Sequence, residues 1–291
     1  MSDAPARVGA ITPADIAALR ARYPQAFKTG PLHNPRALIS LIAIIGLLFY
    51  GLAALDFSFQ RLFGGLGQLA WIIKLMLPPS WGSPEKLMLY LNAMGETLAI
   101  AFLGTLGAAT IAFPFSHLAA RNTTFSMIAR FLTRRVSDTI RGVDALIWAL
   151  IWVGVVGLGP FAGVLAVMTS DIGSFIKLFS EAIEAADNKP VEGIVSSGGA
   201  KLHATRFGTL PQVLPVIAGQ VLYYFESNTR SSTIIGIVGA GGIGLHLTEE
   251  IRTLEWQHVS FLILMILAAV AIIGWISGKL RFAIMGKQAE H

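Results

Sequence analysis

Residues 192–211 read EGIVSSGGAKLHATRFGTLP, from Glu192 to Pro211. The stretch is polar and punctuated by Gly193, Gly198, Gly199 and Gly208, yet long apolar runs lie on both sides of it. Lys201, His203 and Arg206 have no place in hydrocarbon, where an unpaired polar group costs several kcal/mol. The stretch therefore lies outside a bilayer that the flanking runs enter.

The rest of the composition agrees. The chain has 291 residues, 54% hydrophobic and 13% charged. A soluble domain carries roughly 25% charged residues. Apolar runs of about 17 to 25 residues match a hydrocarbon core of about 30 Å. Helices satisfy their own backbone groups in lipid, so the reading is an all-α membrane protein. The net charge of +5 is spread between apolar runs and does not form a patch, so no nucleic-acid partner is expected. With no cysteine, disulfides and thiol chemistry are excluded. The first apolar run begins near Ala37, further in than the core of a secretory signal, and no cleavage is expected.

Residues 1–36 form a polar lead-in. Thr12-Pro13-Ala14-Asp15 carries the cap, proline and acid of a helix start, and predicts a short amphipathic helix to about Tyr23. Six spans are expected in the domain 37–291: 37–55, 87–113, 143–158, 161–179, 212–228 and 259–278. The mixed segment 57–86 suits an interfacial or re-entrant helix, with Gly64-Gly65 and Pro78-Pro79 breaking it. Pro114 is expected to end the second span. Placing both termini and the polar loop 180–211 in the cytoplasm puts 17 of the 22 lysines and arginines inside.

At Glu192 the spacing meets a known pattern. Gly198 lies six residues after the acid, and Leu210 and Pro211 lie eighteen and nineteen after it. The literal string Glu184-Ala185-Ala186 fails the same count, because Pro190, Leu202 and His203 fall at those positions. The Glu192 register resembles the coupling loop of ATP-binding-cassette (ABC) importer permeases. Gly193 and Ile194 stand where that family carries two alanines. The likeness extends over residues 90 to 280. Glu96 to Thr105, Leu210 to Pro215 and the run from Phe225 to Gly244 resemble the phosphonate-type branch.

The resemblance implies a type I ABC importer permease in a bacterial inner membrane, with cytoplasmic coupling helices. Glu192, Gly193, Gly198, Gly199, Leu210 and Pro211 would meet the motor. Gly198-Gly199 supplies the turn of a helix-turn-helix, and Leu210-Pro211 ends its second arm and starts the next span. The chain has no phosphate-binding GxxxxGK[ST] loop, so ATP and Mg would belong to two partner ATPase subunits. An extracytoplasmic substrate-binding protein and a second permease copy, as a homodimer in membrane lipid, complete the implied assembly. No cofactor, metal or catalytic residue is expected on the permease itself. Phosphonates or related phosphorus oxyanions are the implied cargo. Phosphate or an amino acid is the alternative within the same class.

In the Gly-rich run that also holds Gly242, Gly239, Gly241 and Gly244 spell a dinucleotide fingerprint, GxGxxG, without the soluble βαβ unit that the fingerprint needs. Two readings stand for it: backbone dipping into a pore mouth with amides open to an anion, and a packing loop. Arg230, with Ser231, Ser232 and Thr233 beside it, is the candidate anion contact; the other reading is an interfacial arginine reaching water. Glu96, Asp144, Asp171 and Glu226 are ionisable groups in or near spans and imply partners or a wet cavity. Glu226 and Arg230, four apart, are placed to pair. An ion-driven transporter using Glu96 and Asp171 is a competing reading, as is an intramembrane lipid enzyme. The latter lacks any GxSxG, metal motif or cysteine.

Overall fold

The structure, a computed structural model, describes residues 13–23 and 35–286. It divides into two compact units, one up to Ala70 and the other from Trp71. In the first unit, α1 spans Pro13–Arg22, as the proline and first-turn acid predict. Its expected cap, Thr12, lies outside the described residues. The second helix, α2, covers Pro35–Ala54 and has no buried residue in its spanning window. Phe59–Leu75 forms α3, which runs unbroken through Gly64-Gly65, so the glycine pair does not interrupt it. The boundary between the units falls within α3.

The second unit is built around α4, Pro84–Ala119. Ser83 caps it, accepting a hydrogen bond from the Lys86 amide, and Pro84 opens it. At 36 residues it is about 54 Å long, well over the hydrocarbon thickness. Pro114 lies inside it and does not end it. Proline removes only its own amide donor and disturbs one turn, and neighbours packed on both sides keep the axis going.

Three buried clusters follow α4 from end to end. Tyr90, Ala93 and Met94 pack with Ile243 and Leu262. Ile100 packs with Ala149, Ala166, Val167, Ile235 and Ala240. Ala108 and Ala112 pack with Phe175, Phe179, Ile183, Val213 and Ile217. Phe175 and Phe179 stack at 5.0 Å, with Tyr224 against Phe175 at 4.7 Å. Lipid is as apolar as leucine, so close approach and not water exclusion holds these helices together. Small residues permit it: a Cβ on Gly104 would lie 2.7 Å from the Val167 side chain.

After α4 come α5, Met127–Arg141, and α6, Ala145–Val156. They meet at a bend of 88° around Gly142 and the α6 cap Asp144. The third expected span, 143–158, is thus the 12-residue α6, about 18 Å long and too short to cross alone. Pro160–Glu184 forms α7, which continues the fourth span past its expected end; Ser180 to Glu184 are helix and not loop. Asn188–Ser196 forms α8. Lys201–His203 forms α9, which passes through a π-helical turn, Ala204–Thr209, into α10, Leu210–Gly236. Ile243–Arg252 is α11 and Trp256–Met285 is α12.

Among the described residues, four helices are long and apolar enough to cross a membrane, α2, α4, α7 and α12. The bent α5–α6 pair brings the number to five. The fifth expected span, 212–228, lies in α10, 27 residues or about 40 Å long. Several of its polar residues turn inward, Asn228, Thr229, Ser232 and Thr233 among them, which lowers its mean hydropathy while the protein covers them.

Candidate functional site

The polar stretch folds as a helical hairpin. Asp187 caps α8 by accepting from the Lys189 amide, and Glu192 lies exposed in the middle of that helix. The arm ends at Ser197, and Gly198 takes φ +84°, a left-handed value that side chains other than glycine resist. The Gly199 amide returns to the Ile194 carbonyl at 2.9 Å. The second arm, α9 with its π turn, closes against the first where Gly208 meets Val191; a Cβ there would lie 3.0 Å from the valine side chain. Leu210 and Pro211 do not end this arm. The backbone stays helical from Lys201 into α10, and proline in the first turn of α10 gives up an amide already taken out of register by the π turn. The hairpin and α10 therefore form one continuous lever.

Gln212 locks that lever. Its side chain accepts from the Asp187 amide at 3.0 Å and donates to the Asp187 carbonyl at 3.1 Å and the Gly208 carbonyl at 2.7 Å.

At the other end of α10, the helix runs on to Gly236, past the expected end of the fifth span at 228, and takes in Arg230, Ser231, Ser232 and Thr233. Ser232 and Thr233 are buried, while Arg230 is exposed. Glu226 does not pair with Arg230. It pairs with Arg281 of α12 at 2.9 Å, and both side chains are about a quarter exposed. Helical spacing permitted the first pairing, but the contact across α10 and α12 took the carboxylate.

The glycine corner is packed. Gly242 has φ +77°, and a Cβ there would lie 2.5 Å from the Thr97 hydroxyl. The Gly242 amide donates to Glu96 at 3.3 Å and the Ile243 amide to Thr97 at 2.8 Å. The Gly239 carbonyl accepts from the Gly159 amide, and Gly241 lies against Pro160. Gly244 closes on the Thr233 carbonyl and on Gly236. Two amides that would have faced an anion are thus already engaged by α4.

Two further polar nodes sit inside the second unit. Asn228 donates from its amide nitrogen both to Thr105 at 2.8 Å and to Asp171, joining α10, α4 and α7. Glu250 of α11, 7% exposed, accepts from Tyr90 at 2.7 Å and from Lys86 at 3.1 Å, and its other oxygen lies 3.1 Å from His258 Nδ1. Burial alone would raise the Glu250 carboxyl. The hydrogen bonds from Tyr90, Lys86 and His258 outweigh it and hold the group below its ordinary value. Among the described residues no three His, Asp or Glu side chains are placed to hold a metal ion.

A family model described as the binding-protein-dependent transport system inner membrane component matches residues 112–285, more than half of the chain. The chain belongs to this family.

Two members from Stutzerimonas stutzeri are similar over most of their length. HtxC, named for a phosphite transport system, is 35% identical over 255 residues, covering 88% of this chain and 89% of its own. PtxC, a phosphite transport system permease protein, is 34% identical over 220 residues, covering 76% and 79%. Among solved structures, an inward-facing form of the MetNI methionine ABC transporter superposes with a TM-score of 0.61. It covers 70% of this chain and 99% of the matched one at 17% identity, a likeness of fold alone. The fold is that of an ABC importer permease.

Within this family member, the hairpin, α10 and the glycine corner all fall inside the matched region, while Glu96 and Thr97 lie before it. The register from Glu192 marks out the arms and the turn. It gives no hint of Gln212, Glu184 or the Lys86–Tyr90–Glu250–His258 group, because the contacts that join them to other elements mostly reach partners 25 to 172 positions away. The one available signal was a polar residue in an apolar run, which singles out Asp171 and misses Asn228 and Thr105.

Proposed function

We propose that this chain is the pore-forming permease of an ATP-driven importer for phosphorus oxyanions such as phosphite, phosphonate or phosphate. The observation that carries the substrate class is the likeness, over three quarters of the chain or more, to relatives named for phosphite transport. Two ATPase subunits supply the energy, an extracytoplasmic binding protein delivers the cargo, and a second, identical permease copy completes the pore. Both termini and the hairpin face the cytoplasm.

In this reading Glu192, Gly193, Gly198 and Gly199 dock in the ATPase. Leu210 and Pro211 lie where that motion enters α10. A rigid hairpin continuous with a spanning helix suits this role, since ATPase closure then moves the helix as a body. Arg230 remains the anion contact in the pathway: its guanidinium is exposed, whereas Ser232 and Thr233 point into the protein. Ser231, Glu96, Glu226 and the glycines Gly239, Gly241, Gly242 and Gly244 shape the pathway wall behind it.

The test is reconstitution of the permease in proteoliposomes with its ATPase and binding protein. Phosphite, phosphonate, phosphate and methionine are offered in turn, with ATP or with an ion gradient. ATP-dependent uptake of an oxyanion that falls in Arg230→Gln is expected. Uptake of methionine instead, or uptake driven by the gradient, overturns the reading.

A further inference from the structure

The Glu184-Ala185-Ala186 string failed the register count, yet Glu184 is the most heavily bonded carboxylate next to the hairpin. Its Oε1 accepts from the Arg121 backbone amide at 2.7 Å and from the Arg134 guanidinium at 2.8 Å, with Arg130 at 4.0 Å. Around it, Arg134 also donates to the Ala119 carbonyl at 3.0 Å, and Asn122 donates to the Ile183 carbonyl at 2.8 Å. These bonds join the end of α7 to the end of α4 and to α5. Glu184 is 24% and Arg134 33% exposed, so the pair is partly shielded from water and stronger than a surface pair.

Three residues further on, the Gln212 clamp holds Asp187 to α10. Only Ala185 and Ala186 separate the two clamps. The link is not free chain: the Ala185 amide donates to the Glu181 carbonyl at 3.0 Å and the Ala186 amide to the Ile183 carbonyl at 3.4 Å, so it continues the last turn of α7 and stretching it breaks those bonds. A displacement of the hairpin is therefore handed on through both clamps, to α10 by Gln212 and to α4, α5 and α7 by Glu184.

We infer that Glu184, with Gln212, is a positioning residue of energy coupling: it splices the hairpin to the α4–α5 corner so that both sides of the bundle follow the ATPase together. The inference rests on the proposed function. It adds that motor contact alone is insufficient without this internal splice.

The experiment measures substrate transported per ATP hydrolysed by the complete complex in proteoliposomes. Glu184→Gln keeps the shape and one acceptor but removes the charge; Gln212→Ala opens the second clamp. Each is expected to lower the transport ratio roughly 2- to 30-fold, the range of coupling changes made by residues that touch neither ligand. ATPase co-purification should stay near wild type, and the ratio should fall at temperatures well below each variant's own melting point, where a merely structural role would leave the folded complex fully coupled. Arg134→Gln should lower the ratio too, and combined with Glu184→Gln should do so less than the product of the two. If Glu184→Gln does not accumulate, Arg134→Lys, which keeps the charge and loses the planar fork, gives the same readout. A wild-type ratio in both clamp variants, or full multiplication of the Glu184 and Arg134 effects, overturns the inference. A wild-type complex without ATP-driven uptake overturns the proposed function itself, and is told apart by the unmutated control.

Discussion

Gly193 and Gly198 lie five residues apart in the hairpin, both exposed, and a Cβ at either meets nothing within 4 Å. Replacing each by alanine should nevertheless shift the hairpin's stability in opposite directions. Gly193 is inside α8 with helical backbone, so alanine removes the entropy penalty of glycine and stabilises by about 0.5–1 kcal/mol. Gly198 holds φ +84°, where alanine forces its Cβ towards the carbonyl and costs about 1–2 kcal/mol. With about 1.4 kcal/mol per tenfold, amide exchange in α8 should slow roughly 2- to 5-fold in Gly193→Ala and speed up roughly 5- to 30-fold in Gly198→Ala. The assay is hydrogen exchange of the purified permease in nanodiscs without its ATPase, read on peptides covering residues 188–197. Gly198→Asn, which tolerates left-handed backbone, should fall between wild type and Gly198→Ala. Equal signs for the two alanine variants would refute the argument, because nothing but backbone conformation distinguishes the sites.

Two further outcomes follow from the polar nodes. Glu250 is held below its ordinary value of 4.5, so its contribution to stability is complete above that pH and is lost as pH falls through the lower folded value. Thermal melting of wild type below about pH 4.5 should therefore fall more steeply than that of Glu250→Gln; parallel profiles would count against the network. Arg281→Gln leaves Glu226 without its partner, a loss of about 3–5 kcal/mol for a fully buried pair and about 1–3 kcal/mol at one-quarter exposure. The Glu226→Gln/Arg281→Gln double variant should regain most of that in thermal unfolding, and simple addition of the two single losses would show that the pair is not coupled.

Much of the architecture was legible because hydrocarbon imposes a length and a polarity on every segment. The run 37–55 became α2, and the acid-to-proline count from Glu192 found both arms of the hairpin and its turn. Boundaries were less legible where a residue has a local preference that packing overrides. Pro114 reads as a stop, yet α4 passes through it; Leu210-Pro211 reads as a break, yet α9 continues into α10. The expected 143–158 span came out as a 12-residue helix because Gly142 and Asp144 set a corner between α5 and α6.

By itself the sequence determined that this is a helical membrane protein with a helical hairpin at Glu192 and a glycine run before its last span. Those features rest on composition and short-range spacing, which local physics fixes. Tertiary structure alone decided what each polar side chain holds. It gave Glu226 to Arg281 and not to Arg230, spent the Gly242 and Ile243 amides on Glu96 and Thr97, and turned the discarded Glu184 into the anchor of the α4–α5 corner. A carboxylate takes the donors that packing brings within about 3 Å, and for helices remote in sequence that proximity exists only once the bundle has formed.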